Sequence, residues 1–333
     1  MTTATLSCTR VETDDEAALR ASYDLRRQVE EHDLPGDPEV GWSRHVGQLR
    51  HPWPGLEVRA FLAHQDGVLV GWFAVTLPLT ENRDAAYLEL QVHPAHRRRG
   101  VGRALLAEVR VRVLELGRSR VIAGATGPGA EAFAAGRGAR AVLADTQRRL
   151  ELTTLETDRL EALWAEATAH STGYSLLQWV GATPEEHLEA VAALESRMTT
   201  DAPMDDLKWE QVVFDADRYR AHDAVMVARR NRAYTSAAQH DASGVVVGTT
   251  TLVVADGVDD SAGQFQTIVE PAHRGHRLGL LLKVANLRYL QLHEPAVTTV
   301  DTWNADSNAP MLKVNVDMGF QPVRQWAEWE LVL

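Results

Sequence analysis

Shifted by 177 residues, the sequence finds itself. Gly67-Val68-Leu69-Val70-Gly71 falls on Gly244-Val245-Val246-Val247-Gly248, and Val92-His93-Pro94-Ala95-His96-Arg97 falls, without a gap, on Val269-Glu270-Pro271-Ala272-His273-Arg274. Gly102 then meets Gly279 and Leu105 meets Leu282, so seven of fourteen positions between 92 and 105 are identical. The frame later moves by four, setting Gly138 on Gly319 and Leu152 on Leu333. A chain duplicated in this way is expected to repeat one fold. The repeats divide it into domains 1–152 and 153–333, in keeping with roughly 150 residues per domain. No Pro/Gly/Ser-rich linker separates them, which predicts packed domains rather than beads on a string.

Each half reads as the same succession. In the first, 14–32 is rich in helix formers and is followed by Gly36 and Pro38. Two apolar runs, 57–64 and 68–77, meet at Asp66-Gly67, a hairpin signal. Residues 86–92 predict a third strand. Leu105, Val109 and Val113 then mark one face of a helix that begins at Val101 and stops at Gly117. A strand at 120–125, a short helix near 130–136 and strand pieces to 152 follow. In the second half, helices are expected at 155–170, 184–200, 277–292 and 308–318, and strands at 245–254, 264–269 and 297–303. The fold class is therefore α/β, an α+β mixed sheet occurring twice.

Charge separates the halves. Residues 1–152 hold 20 Arg and 20 Asp+Glu with no Lys, so the whole net charge of −12 belongs to 153–333. A chain this acidic repels phosphate backbones, which argues against a nucleic-acid partner. The acidic half suits solubility and is compatible with a cationic small molecule. No run approaches the roughly 20 apolar residues of a membrane span, and the first 30 residues carry charges throughout. With a single cysteine, Cys8, no internal disulfide is possible, and a cytoplasmic location is expected.

The chemistry is concentrated where strand turns into helix, at Arg97-Arg98-Arg99-Gly100-Val101-Gly102. A helix start offers unpaired N–H groups and the positive end of a dipole. Glycines allow close backbone approach, and arginines add forked donors. Together these make a cradle for a pyrophosphate. The pattern V-x-P-x-x-R-x-x-G-x-G at a strand–helix junction resembles the acyl-CoA loop of the GNAT superfamily of N-acyltransferases. Asn308, Met311-Leu312 and Gly319-Phe320 resemble that family's terminal helix and the strand after it. The likeness covers nearly the whole chain, as two tandem GNAT acyl-CoA N-acyltransferase domains.

The resemblance implies acetyl-CoA as cosubstrate, with no metal and no nucleophilic serine or cysteine. It assigns coenzyme contacts to Val92, His93, Arg97, Arg98, Arg99, Gly100, Val101, Gly102 and Arg103. In the second half it assigns them to Val269, Arg274, Gly275, Gly279, Asn304 and Asn308. The pantetheine arm would pair with the backbone at Val92, in a splay between the strands near 92 and 121. A backbone N–H there would polarise the thioester carbonyl, and the amine would attack directly.

An ammonium must lose a proton before it attacks, and a carboxylate near the thioester can take it. Glu89 lies three residues before Val92, and Y-L-E-x-x-V-x-P resembles a pattern in aminoglycoside 6′-acetyltransferases whose glutamate lies in the active site. Strand alternation puts Glu89 and Val92 on opposite faces unless a β-bulge intervenes. The second half has Gln266 at that place and Arg277 where the first has Gly100, a departure from the family loop. A tyrosine common four residues before the terminal glycine is replaced by Ala134 and Asn315. His96 and His273 read as structural, and 200–206 with Glu210 as an acidic surface turn.

The expected activity is acetyl transfer to a primary amine of a small molecule, with Glu89 as base. One alternative is a non-catalytic acyl-CoA-binding protein made of two degenerate domains. Another puts catalysis in the second domain and leaves the first structural. The chain is expected as a monomer or homodimer.

Overall fold

The computed structural model of the protein describes residues 6–333. Compactness divides it into two units: the chain up to Val142 with Ala327–Leu333, and Leu143–Trp326. Each repeat thus ends in a strand of which part belongs to the other unit. The division at 152/153 remains a proposal about the repeats.

The first unit begins with β1 (Leu6–Val11), α1 (Glu16–Asp33) and α2 (Trp42–Arg50). Asp15 caps α1 by accepting from the N–H groups of Ala17 and Ala18. Leu19, Ser22, Leu25 and Val29 form the buried stripe of that helix. Strands β2 (Leu56–Gln65) and β3 (Val68–Pro78) form the expected hairpin, with Asp66 and Gly67 at φ 52° and 80°. Next come β4 (Ala85–Val92), α3 (Val101–Glu115), β5 (Arg120–Ala125), α4 (Gly127–Gly136) and β6 (Arg140–Glu151). The strand order is β1-β2-β3-β4-β5, followed by the last residues of the chain: Ala327–Val332 pair antiparallel with β5. Helix α3 lies against β3 at Gly71. A Cβ there would stand 2.7 Å from the Gln91 carbonyl oxygen and 2.9 Å from the Leu105 side chain, so only glycine permits this approach.

The second unit repeats the plan. It holds α5 (Thr157–His170), β7 (Tyr174–Val180), α6 (Leu188–Ser196), α7 (Met198–Asp201), α8 (Ala216–Ala228), β8 (Arg232–His240), β9 (Val245–Val254) and β10 (Ser261–Val269). These are followed by α9 (Leu278–His293), β11 (Thr299–Ala305), α10 (Ala309–Met318) and β12 (Gln321–Val332). Its strand order is β6-β11-β10-β9-β8-β7. Residues 145–151 of β6 pair with β11, and Arg149 grips the buried Asp301 with two bonds of 2.7 and 2.8 Å. Gly248 takes the place of Gly71 beneath α9.

Several elements go beyond the sequence reading. Strand β8 (RAYTSAAQH) holds three alanines and a serine, small residues that give little of the β-branched and aromatic signal of a strand. Its Ala237 and Ala238 are fully buried, and Ser236 hydrogen-bonds the buried Asn286 of α9, so small residues serve close packing. Helix α8 buries only Tyr219, Asp223 and Met226 and carries charges around the rest, which hides its period. Strands β1 and β7 are short edge strands. The helix expected over 184–200 is broken into a 3₁₀ turn, α6 and α7.

Helix α9 is buried nearly all round, and one of its buried residues is Lys283, 2% exposed. Its ammonium stands 5.0 Å from the Phe320 ring centroid, and burial pulls its pKa down to about 7. The folded state therefore prefers the neutral amine, while the unfolded chain takes up a proton below the ordinary value of 10.5. Stability falls by about 1.4 kcal/mol for each unit of falling pH between those two values, then levels off. Lys283→Met is expected to raise the denaturation midpoint, most at pH 7 and below, with the gain fading towards pH 10. A gain that does not change with pH would contradict this account.

Candidate active site

The two strand–helix junctions have the same backbone. In the first, Arg98 (φ 61°) and Gly100 (φ 87°) are left-handed; in the second the left-handed residues are Gly275 (φ 88°) and Arg277 (φ 57°). Each loop thus needs two such positions and fills one with glycine and the other with arginine, in opposite order. Arg277 departs from the family sequence and still keeps the turn, at the cost of about 1–2 kcal/mol of backbone strain. Its guanidinium pairs with Glu166 at 2.5 Å.

Among the described residues, the N–H groups of Arg98 through Arg103 make no hydrogen bond, nor do those of Gly275 through Leu280. They are the open donors of a helix start and fit an anionic pyrophosphate. Arg97 does not contribute its charge to them. Its Nε holds the Val92 carbonyl oxygen (3.1 Å), and its two terminal nitrogens grip Asp33 (2.6 and 2.7 Å). Arg274 does the same with the Val269 carbonyl oxygen (3.0 Å) and Asp201 (2.7 Å). These arginines tie the loop to the strand before it and to the end of a helix. The acidic surface turn thereby acquires a structural role at Asp201. Arg98, Arg99 and Arg103 stay exposed, whereas their counterparts Gly275, His276 and Leu280 carry no such cation.

Behind each loop the sheet opens. Strand β4 pairs in parallel with β5 only at 85–87, ending at Tyr87 with Ile122, although β4 continues to Val92. Strand β10 pairs with β11 only at 261–263. The splay that the resemblance implies for the first unit is therefore present in both units. The bulge is present in one. Pairing of β4 with β3 is regular from Tyr87 to Val92, while β10 shifts register against β9 between Gln264 and Thr267. Without a bulge, Glu89 and Gln91 face α1 and α2, and Val92 packs with the α3 core.

On that face Glu89 meets Arg26 at 3.6 Å, while Arg26 also bonds Glu30 (2.7 Å) and Gln48 (3.1 Å). Burial opposes the Arg26 charge, but Glu89 and Glu30 outweigh it and hold the guanidinium protonated. The Arg44 guanidinium is pulled down by burial and by Arg26. Buried His45, bonded to Ser22 (2.8 Å), is held neutral by burial, its pKa near 3.

The equivalent face of the second unit carries Glu195, His222 and Asp223. A small cavity of about 10 Å³, room for one water, is lined by Thr183, Tyr219, His222, Asp223, Thr235, Thr251, Phe265 and Gln266, together with smaller and apolar residues. Phe265 and Gln266 in that lining are the bulged residues of β10. The Tyr219 hydroxyl is pushed up by burial and by Glu195 and Asp223, and it engages Thr183 and Gln266. Burial raises the Glu195 carboxyl, with His222 opposing. Asp223 accepts from the Thr183 N–H at 2.8 Å.

Other expected residues have local roles. His93 accepts from the Ala95 N–H and contacts Gln28; Asn308 caps α10 by accepting from Met311. Asn304 accepts from the buried Asn315, which stands where the family tyrosine was sought. His273 bonds the Tyr174 hydroxyl (2.9 Å). Gly102 faces Phe133, 3.3 Å from where a Cβ would be, while Gly279 has nothing within 4 Å. Arg26, Arg44, Glu195, Tyr219, His222 and Asp223 went unnoticed in the sequence because they lie on helices without a motif.

The shared turn makes a prediction about stability. Gly100→Ala and Gly275→Ala meet no close atom, so each is expected to lose about 1 kcal/mol from the left-handed φ alone. Gly279→Ala, in an ordinary helical turn, is expected to gain about 0.5 kcal/mol. Denaturant titration of the three variants reads the difference, and equal effects would refute the backbone assignment.

The sequence model of the acetyltransferase (GNAT) family matches residues 27–139. No curated protein sequence matches the chain. Among solved structures, a tandem GNAT protein from the clavulanic acid biosynthesis pathway is 30% identical, with 98% of each chain covered and a TM-score of 0.83. A GCN5-related N-acetyltransferase from Sphaerobacter thermophilus is 15% identical (98% of this chain, 95% of that one, TM-score 0.64). Saccharomyces cerevisiae N-myristoyltransferase, solved with bound myristoyl-CoA, is 11% identical (98% and 82%, TM-score 0.61). These last two share the fold. With a full-length relative at that identity and a loop, gap and helix start repeated twice, the chain belongs to the GNAT family as a tandem acyl-CoA N-acyltransferase.

Proposed function

We propose that the protein transfers an acetyl group from acetyl-CoA to a primary amine of a small molecule, by direct attack within a ternary complex. The observation that carries this is the junction itself: a run of unbonded N–H groups at a helix start, beside a parallel strand pair that stops after three residues. The amides would hold the pyrophosphate, and the open strand edge would take the pantetheine arm. Both junctions are suited to this. Arg98, Arg99 and Arg103 give the first a stronger hold on phosphate, since the second has amides alone at those places.

In the first unit the reading gives Glu89 the amine's proton. The nitrogen then attacks the thioester carbon, a C–N bond forms, the C–S bond breaks, and the nitrogen's second proton ends on the departing thiolate to give the free thiol. Arg26 competes for the same carboxylate, which weighs against Glu89. A second reading, with catalysis in the second unit, is favoured by the bulge in β10. A bulge leaves one residue's backbone unpaired, and so supplies an N–H to polarise the carbonyl.

Thiol release from acetyl-CoA with a panel of amines tests the activity. If Glu89 is the base, Glu89→Gln is expected to lower kcat by roughly 10²-fold or more; full activity would remove it from the mechanism. Calorimetry is expected to count two coenzymes per chain, falling to one in Gly102→Asp and one in Gly279→Asp. The site lost in Gly102→Asp is expected to be the more salt-sensitive.

A further inference from the structure

Each strand–helix loop is held from outside by the end of a helix, and the two units do this with different residues. In the first unit, Gln28 and Asp33 lie in the last turns of α1. Asp33 takes both terminal nitrogens of Arg97 (2.6 and 2.7 Å), and Gln28 meets His93 at 2.8 Å. In the second, Arg197 follows α6 and Asp201 is the last residue of α7. Asp201 takes a terminal nitrogen of Arg274 (2.7 Å), and Arg197 pairs with Glu270 at 3.7 Å. His93 and Glu270 are equivalent in the repeat, as are Arg97 and Arg274. We propose that Asp33 and Asp201 are positioning residues for coenzyme binding. Acting through Arg97 and Arg274, they hold the loop amides in the geometry that accepts a pyrophosphate, and they keep those two arginines off the phosphates. The inference rests on the acetyltransferase reading and deepens it.

The order of contacts along the loop is the first support. Arg97 Nε bonds the Val92 carbonyl oxygen (3.1 Å) and so closes the 3₁₀ turn Pro94–His96 that lies between them. The next residue, Arg98, is left-handed at φ 61°, and the run of unbonded N–H groups begins there. A left-handed residue with a side chain is strained and persists only where its surroundings enforce it. The guanidinium fork supplies that enforcement, fixed by the strand carbonyl through Nε and by the carboxylate through its two ends. Arg274 closes the same turn on the Val269 carbonyl oxygen (3.0 Å), directly before left-handed Gly275.

The neighbouring contact is the second support. His93 Nδ1 accepts from the Ala95 N–H, so Nε2 is the nitrogen that donates to Gln28 Oε1. In the other copy a carboxylate, Glu270, stands in place of the histidine, and the helix residue that meets it is an arginine. Both partners differ, and the contact between helix end and loop is kept. Arg197 also bonds Asp201 (3.0 and 3.1 Å), so that one carboxylate gathers two guanidinium groups. With the charge of Arg97 met by Asp33, the cations left to face a phosphate in the first unit are the exposed Arg98, Arg99 and Arg103.

Calorimetry with coenzyme A on the full chain tests this, with Gly279→Asp leaving the first site to be read alone and Gly102→Asp the second. In the first background, Asp33→Asn and Arg97→Gln are each expected to weaken binding about fivefold, and the two together no more than either alone. Asp33→Glu, which keeps the charge, is expected to recover most of the affinity. In the second background Asp201→Asn is expected to match Asp33→Asn, and each aspartate is judged by its own site. The fall of affinity with added salt is expected to keep its slope in Arg97→Gln and to flatten in Arg98→Gln. Urea titration accompanies each variant, because a part in stability alone would lower the denaturation midpoint and leave the dissociation constant unchanged. Unchanged or tighter coenzyme binding in Asp33→Asn overturns the inference. So does a loss in Arg97→Gln far larger than in Asp33→Asn, the mark of an arginine that itself contacts phosphate. In both cases the parent protein still binds the coenzyme and the acetyltransferase reading stands. A parent protein that binds no coenzyme A overturns both.

Discussion

Everything at the two junctions depends on backbone groups that lose their partners at one place. A parallel strand pair normally continues its ladder, because a buried N–H or C=O left unbonded costs about as much as a hydrogen bond. Here the ladders end at Tyr87 with Ile122 and at Gly263 with Asp301, and the strands run on apart. Immediately beyond, the first turns of α3 and α9 present further unbonded amides. Donors and acceptors left open in this way, twice and in register with a helix dipole, form a surface suited to an extended polar ligand with an anionic end.

Keeping such a surface requires the rest of the architecture. Gly71 and Gly248 bring the helix down onto the sheet, so that its start lies at the strand ends. Arg97 and Arg274 fasten each loop to the carbonyl oxygen of the preceding strand and to an aspartate at a helix end. The loop arginines are therefore of two kinds. Those that hold the loop are paired with carboxylates, and those that can face a phosphate, Arg98, Arg99 and Arg103, are exposed. Adjacent identical residues in the sequence divide between these tasks only once the neighbouring helix is in place.

Much of this was legible beforehand. The repeat, the junctions and the Asp66-Gly67 hairpin follow from local patterns that fold alike wherever they occur, and the strand splay was implied by the family resemblance. Helix α8 and strand β8 were not legible. One has charges around most of its surface, and the other is made of small residues whose value lies in what packs on them. The charged groups beside Glu89 and Gln266 were missed for the same reason, since Arg26 and Arg44 or Glu195 and His222 become neighbours through helix packing and share no motif. Arg277 looked like a defect because the sequence shows a missing glycine and does not show that arginine tolerates the angle.

The sequence by itself determined that the chain carries one fold twice, with a glycine-bearing strand–helix junction in each copy, because glycine placement and apolar period act within a few residues. Only the tertiary structure decided that the bulge lies in β10 and not in β4, that Glu89 is held by an arginine, and that Tyr219, His222 and Asp223 gather beside Gln266. Register and side-chain neighbourhood are set by which strands and helices meet, and those meetings join residues far apart along the chain, as Arg26 with Glu89 and Thr183 with Gln266.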